Sequence, residues 1–237
     1  MRWGLAATIV LGMTASGWAQ EPAKAAPPSA PPAAPGAAEQ APPDGKAVLE
    51  QLRSDADALR PLLTGELSRA FLEAAGALPE PSARTVLRDK SRAHAYTPEE
   101  AARLPEEDRG KLTARTFDPA FFYYTGYGSP LIYGRVLDIL GAAGVSSLAG
   151  KRVMDFGCGT IGHLRMMGAM GADVHGVEIE PVFRALYSQP GDQGEVAGVD
   201  GGPGGRIAMH VGRWPAEREI VRAVGGEYDI ITSKNTL

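Results

Sequence analysis

A glycine-rich turn between a predicted strand and a predicted helix constrains the fold of this chain more than any other feature. A short apolar strand is expected to end at Asp155, the sequence Gly-Cys-Gly-Thr-Ile-Gly follows at 157–162, and a helix continues through Leu164. Gly157 and Gly159 permit a sharp turn and let a ligand approach the backbone without a Cβ in the way. The following helix points its free N–H groups toward the same place. The segment predicts an α/β fold with a ligand site at the carboxyl end of the strand.

Later strands continue this alternation. Residues 173–177 predict a second strand that ends in Glu178, about 20 residues beyond the first, where a carboxylate can accept both hydroxyls of a ribose. Residues 207–211 predict a third strand and residues 228–231 a fourth. Strands that alternate with helices favour a parallel sheet. Residues 151–237 are therefore predicted to form a Rossmann-like, doubly wound parallel sheet of about four strands.

The glycine spacing alone fits two kinds of nucleotide. Gly157, Gly159 and Gly162 satisfy the G-x-G-x-x-G pattern of NAD-binding folds, so an NAD(P)-binding oxidoreductase is one alternative. Asp155 favours another ligand, because a carboxylate two residues before the first glycine would repel phosphate groups. S-adenosylmethionine carries an ammonium and a sulfonium and no phosphate. The absence of a Lys-Ser or Lys-Thr pair after the glycines excludes a Walker-type phosphate loop.

Residues 153–162 resemble motif I of the class I S-adenosylmethionine-dependent methyltransferases, and residues 176–178 resemble the second motif of that family. The resemblance implies that Asp155 holds the methionine amino group of S-adenosylmethionine, directly or through water. It also implies that Glu178 binds the ribose. The cofactor-lining residues that it implies in the turn are Gly157, Cys158 and Gly159.

The resemblance is less complete in the later strands. Gly212, Arg213 and Trp214 stand at the family's adenine-binding turn. Many members have an acid where this chain has Arg213, so adenine contact is expected from the backbone or from Trp214. The family sheet normally continues with further strands, and the resemblance therefore implies a chain truncated after the fourth strand.

The reaction that the resemblance implies is in-line displacement at the sulfonium methyl, with a small molecule or a protein as the acceptor. Positioning would supply most of the acceleration, and the sequence identifies no general base. Tyr127 and Asn235 are the candidate catalytic residues, chosen because their expected locations face the acceptor. A formal net charge of −4 argues against a nucleic-acid partner. No metal site is expected, because His163 and His175 lack zinc-ligand spacing.

The first 43 residues are predicted to lie outside the folded core. Residues 1–19 combine Arg2, a short apolar run and small residues before Ala19, which is typical of a secretory signal peptide and too short for a stable membrane span. Residues 20–43 are rich in Ala and Pro and predict a disordered linker. Export conflicts with a cytoplasmic cofactor. A cytoplasmic location and a catalytically inactive exported nucleotide-binding module are therefore alternatives.

The middle of the chain is predicted to be mainly helical. Within residues 44–116 we expect a helix that begins at Asp44 and is broken near Pro61, helices over 66–75 and 83–93, and a capping box that begins at Thr97. Residues 117–150 form an aromatic segment and a helix that begins at Ser129-Pro130 and ends near Gly141.

Two segments leave alternatives open. The aromatic segment either packs in the core or extends Tyr124, Tyr127 and Ser129 over a ligand pocket. The glycine-rich residues 188–205 are predicted to be disordered, with a mobile lid as the alternative.

Overall fold

The computed structural model describes residues 44–124 and 128–234, together with the backbone of residues 7 and 8. Apart from those two residues, the predicted signal peptide and the Ala/Pro-rich linker lie outside the described residues. The candidate catalytic residues Tyr127 and Asn235 lie outside them as well.

Helices and strands alternate along the described chain in an α/β fold. The strands are β1 (Ala7–Thr8), β2 (Arg84–Arg88), β3 (Ala95–Tyr96), β4 (Thr113–Phe117), β5 (Arg152–Phe156), β6 (Asp173–Glu178), β7 (Gly194–Val196), β8 (Gly205–Val211) and β9 (Ile230–Ser233). The α-helices are α1 (Gly45–Leu59), α2 (Glu66–Glu73), α3 (Pro98–Ala102), α4 (Glu106–Arg109), α5 (Tyr133–Ala142), α6 (Gly162–Ala169), α7 (Val182–Leu186) and α8 (Arg218–Val224). Short 3-10 helices cover Arg60–Leu62, Ala74–Ala77, Pro119–Phe122, Pro130–Ile132 and Val199–Gly201.

The larger sheet has the strand order β1-β9-β5-β6-β8-β7. Its neighbours pair in parallel, except that β7 runs antiparallel to β8. Val153 at the centre stands beside Val174 on one side and Ile230 on the other. The strands predicted at 173–177, 207–211 and 228–231 correspond to β6, β8 and β9. The chain order reverses between β5 and β9, which leaves a crevice at the carboxyl ends of these strands.

Helices cover both faces of this sheet. On one face a single apolar core joins α1, α2 and α5 to α6 and to the strands, and it includes Leu52, Phe71, Leu137 and Leu164, all fully buried. On the other face Val224 of α8 belongs to a smaller cluster. The N-terminal helices therefore share their core with the parallel sheet.

The helix predicted over residues 83–93 is wrong, because Arg84–Arg88 is a strand. It lies at the centre of a three-stranded antiparallel sheet of order β3-β2-β4. Val86 is fully buried between less buried neighbours, as expected for a strand with one covered face. Residues 44–116 are thus helical only in part.

The disorder predicted for residues 188–205 is also wrong. Gly194–Val196 forms β7, and the side chain of Asp192 is buried in an ion pair with Arg84. Asp192 additionally accepts a hydrogen bond from the backbone of Gln189 at 2.8 Å. The glycine-rich composition of this segment does not indicate these long-range contacts, which order it.

Both predicted helix starts with a hydroxyl cap are confirmed. Thr97 and Glu100 form a capping box at α3. Ser129 accepts from the backbone N–H of Leu131 and begins a 3-10 turn that leads into α5. Within the described residues, no helix combines the length and the apolar character that crossing a membrane requires.

Aromatic side chains before Ser129 pack mainly in the core. Tyr123 is fully buried, and its hydroxyl donates to the carbonyl of Pro79 at 2.6 Å. Phe122 is buried edge-on against Tyr187, with ring centroids 5.0 Å apart. Burial raises the pKa of Tyr124 to about 12. The core alternative therefore holds for Phe122 and Tyr123.

Candidate functional site

A cavity of about 960 Å³ lies at the carboxyl ends of β5 and β6. One part of its wall comes from the parallel sheet and the helices around it: Tyr133, Phe156, Gly157, Cys158, Gly159, Thr160, His163, Val177, Glu178, Ile179, Glu180, Val182, Phe183, Gly212, Arg213, Trp214 and Lys234. The other part comes from the antiparallel sheet and the aromatic segment: Arg88, Arg92, Arg115, Phe117, Phe121, Gly128, Ser129 and Pro130. All the predicted cofactor-lining residues except Asp155 are among them.

The glycine turn at the base of the cavity uses its own N–H groups to bind protein atoms. Gly157 and Gly159 have φ angles of +73° and +65°, a backbone conformation that favours glycine. The N–H groups of Gly157 and Cys158 donate to the carbonyl of Val177 at 2.8 and 3.1 Å. Farther along the turn, Ile161 N–H donates to the hydroxyl of Tyr187 at 3.3 Å. These N–H groups are therefore already paired.

Glu178 closes the remaining side of the turn. Its Oε2 accepts from the N–H of Gly159 at 2.8 Å. Its Oε1 accepts from the N–H groups of Ile179 and Glu180 at 2.7 and 3.1 Å. Such charge-assisted hydrogen bonds fix the carboxylate at the end of β6, and only 9% of the residue is exposed. A negative charge thus lies directly against the glycine turn.

Asp155 lies beneath the cavity and does not line it. The residue is fully buried, and its carboxylate accepts from the Tyr133 hydroxyl at 2.7 Å and from the Thr232 hydroxyl. His163 Nε2 lies 2.8 Å from the same carboxylate. Direct contact of Asp155 with a ligand in the cavity, one form of the sequence prediction, does not fit this arrangement. Of its three side-chain partners, Tyr133 and His163 line the cavity.

Tyr133 and His163 are functional candidates that the sequence reasoning missed. Their rings stack with centroids 3.9 Å apart and planes 10° apart, and both residues line the cavity. Burial and the Asp155 charge raise the pKa of Tyr133, so its hydroxyl stays protonated and continues to donate. One sequence feature could have identified His163 as a site residue: it lies on the first turn of the helix that follows the glycines.

Cys158 contributes a small neutral side chain to the cavity wall. Burial, followed by the charges of Asp155 and Glu178, raises the pKa of its thiol well above the usual value. Its sulfur packs against the next strand, where a Cβ built on Gly176 would stand 2.7 Å from Sγ. The thiol is therefore a packing group, because nucleophilic attack requires the thiolate.

The predicted adenine-binding turn also reaches the cavity. Gly212 N–H donates to the carbonyl of Glu178 at 2.8 Å, which fixes the turn beside the end of β6. The Trp214 ring packs against Phe156 with centroids 5.6 Å apart. Arg213 is exposed and lines the cavity. Gly212, Arg213 and Trp214 are therefore placed together at the cavity wall.

The part of the wall that comes from the antiparallel sheet is basic, which the sequence does not predict. We call Arg88, Arg92 and Arg115 the arginine face. Arg88 and Arg92 approach Glu180 at 3.1 and 3.6 Å. The guanidinium of Arg115 lies 4.6 Å from the centre of the Phe117 ring, a cation–π distance. The β2–β4 pairing that brings Arg88 and Arg115 together is a long-range contact without a local motif.

Comparisons with known proteins add no assignment to this geometry. Among the side chains described for residues 44–124 and 128–234, no group of three or more His, Cys, Asp or Glu could hold a metal ion. No protein-family model, curated protein or solved structure matches the chain.

Proposed function

We propose that this chain binds S-adenosylmethionine at the carboxyl ends of β5 and β6 and catalyses transfer of its methyl group to an acceptor in the same cavity. In this proposal the larger sheet is Rossmann-like, and the chain is a class I methyltransferase. The observation that carries the proposal is the Glu178 carboxylate held against the glycine turn by the N–H of Gly159.

This carboxylate disfavours the alternative ligand, a nicotinamide dinucleotide. A pyrophosphate needs free N–H groups at the turn, yet those of Gly157, Cys158 and Gly159 already have protein partners. A phosphate charge about 4 Å from Glu178 would cost on the order of 4 kcal/mol at a typical effective dielectric constant. A nucleoside with a positively charged tail avoids both penalties.

The residues present suit such a ligand. The lone pairs that Glu178 does not use in backbone hydrogen bonds can accept from ribose hydroxyls. The Trp214 ring offers an apolar face to a purine. Tyr133 and His163, both bonded to Asp155, keep a buried negative charge beneath the cavity floor. When bound, the cofactor supplies a methyl group already activated by a positively charged sulfur, so the chain's main task is orientation.

Calorimetric titration with S-adenosylhomocysteine and NADH tests this proposal on the full chain. We expect S-adenosylhomocysteine to bind and NADH not to bind. Glu178→Gln should weaken S-adenosylhomocysteine by about tenfold or more, because the charge and one acceptor oxygen are lost. Glu195→Gln is the matched control, since Glu195 is exposed on β7 and does not line the cavity.

Two outcomes would overturn the proposal: tighter binding of NADH than of S-adenosylhomocysteine, or equal affinities in the Glu178→Gln and Glu195→Gln proteins. Thermal unfolding of both variants verifies that they are folded. Binding without methyl transfer to any tested acceptor would instead support the inactive binding module.

A further inference from the structure

The cavity carries positive charge in a chain that is negative overall. The chain has a formal net charge of −4. The charged residues that line the cavity are the cations Arg88, Arg92, Arg115, Arg213 and Lys234 and the anions Glu178 and Glu180. The cavity has more positive than negative side chains although the whole chain is negative. The positive charge is therefore specific to the site and does not follow from the overall composition.

Only some of these cations are neutralised by the protein. Glu180 pairs with Arg88 and Arg92. In the described part of the chain, Arg115, Arg213 and Lys234 form no ion pair with an acid. An anion entering the cavity would meet side chains that have no competing carboxylate.

The register of the antiparallel sheet concentrates the charge. Arg88 pairs with Thr113 and Val86 pairs with Arg115, which makes Arg88 and Arg115 diagonal neighbours on one face. Apolar rings continue this wall. Phe117 and Phe121 lie with centroids 4.5 Å apart, and Phe121 stacks on Phe183 at 6.2 Å. The wall therefore offers a guanidinium group next to aromatic surface.

The cavity-lining groups that could accept a proton are already engaged by the protein in part. Glu178 is held by three backbone N–H groups, and Glu180 is bound by two arginines. His163 is 1% exposed, and its Nε2 lies 2.8 Å from the Asp155 carboxylate, so that Nδ1 is its remaining ring nitrogen. An acceptor that is already anionic needs none of these groups as a base.

From this combination we infer that the methyl acceptor is a small carboxylate with an apolar body, recognised by Arg115 and Arg213 and packed on the Phe117–Phe121 surface. The inference rests on the proposed function. Methylation of a carboxylate forms one bond between its oxygen and the methyl carbon while the methyl–sulfur bond breaks and its electron pair returns to sulfur. The products are a methyl ester and S-adenosylhomocysteine, and no proton moves, so this reaction needs no base.

The test compares two probes of nearly equal shape, 2-naphthoate and 2-naphthamide, by calorimetry on the full chain with S-adenosylhomocysteine present. We expect the carboxylate to bind at least about tenfold more tightly than the amide, because arginine recognises a carboxylate through two charged hydrogen bonds. Arg115→Gln and Arg213→Gln should each remove most of that preference. Arg222→Gln, on the exposed side of α8, should retain it.

Equal affinity for the two probes would overturn the inference, as would failure of both to bind a protein that binds S-adenosylhomocysteine. A preference that survives in both arginine variants would overturn the assignment of the recognising residues. Titration with S-adenosylhomocysteine alone tests the proposed function separately from the inferred acceptor. If S-adenosylhomocysteine does not bind, the proposed function is wrong. The comparison of 2-naphthoate with 2-naphthamide, repeated without S-adenosylhomocysteine, still decides whether the cavity selects carboxylates.

Discussion

The two sheets of this molecule build the same cavity by different means. In the parallel sheet the important groups follow each strand directly, as the glycine turn follows β5 and Glu178 ends β6. In the antiparallel sheet Arg88 and Arg115 come from separate strands and meet only through the β2–β4 pairing. A parallel sheet gathers successive strand ends at one edge by its topology. The antiparallel sheet depends on a specific register.

Their polar groups also differ in environment. Asp155 is fully buried and accepts from side chains of α5, α6 and β9. Arg92 and Arg115 are exposed at the cavity mouth. We therefore expect substitutions of Asp155 and its partners to affect stability strongly, and those of Arg92 and Arg115 to affect ligand binding with little loss of stability.

The largest effect should follow Asp155→Ala. The change leaves the His163 ring and the Tyr133 and Thr232 hydroxyls buried without their acceptor, and we expect a loss of about 3–5 kcal/mol in the free energy of unfolding. Urea denaturation measures it. Asp57→Ala, at an exposed position on α1, should change stability by less than about 0.5 kcal/mol. Similar losses in the two variants would contradict the contrast between buried and exposed polar groups.

The same contrast explains what the sequence could predict. Strand, glycine turn and acidic strand end are local signals, so the sequence correctly predicts β5, α6 and the position of Glu178 at the end of β6. The sequence does not predict the burial of Asp155, because its partners Tyr133 and Thr232 lie far from it in sequence.

The antiparallel sheet was missed for a related reason. Residues 83–93 contain only a short apolar pair flanked by charged residues, which specifies neither helix nor strand. The pairing with Thr113–Phe117 decides between them. Strand preference depends strongly on such tertiary context. The basic cavity wall could therefore not be assembled from local patterns.

A smaller effect is expected where the two sheets are joined. Arg84 on β2 makes two hydrogen bonds of 3.0 Å to the Asp192 carboxylate, whose side chain is 7% exposed. Arg84→Met should lower the free energy of unfolding by about 2–4 kcal/mol, because it leaves a buried carboxylate without its cation. Arg109→Met, in the exposed helix α4, is the control.

Adding Asp192→Asn to Arg84→Met should restore part of this loss, since the unpaired charge is then removed. A double-mutant cycle in urea measures the coupling between the two positions. Additive effects would mean that the antiparallel sheet is attached to the parallel sheet by its apolar contacts and not by this ion pair.

The smallest effect should come from the exposed link between α3 and α7. Arg184 donates to both oxygens of Glu100 at 2.7 and 3.1 Å, and this interaction is the main cause that lowers the pKa of Glu100 below its ordinary value. The stabilisation is present above pH 4.5, the ordinary value, and is lost as the pH falls through the lowered pKa of the folded state.

Because both side chains are substantially exposed, solvent screening limits this stabilisation to about 0.5 kcal/mol. Glu100→Gln keeps an oxygen for the Thr97 N–H and so preserves the helix start while removing the charge. The stability difference between wild type and variant, measured in urea from pH 6 to about pH 3, should shrink toward zero on the acid side. Equal stability of the two proteins over this whole range would show that Glu100 stabilises the junction through the cap alone, because glutamine preserves the cap.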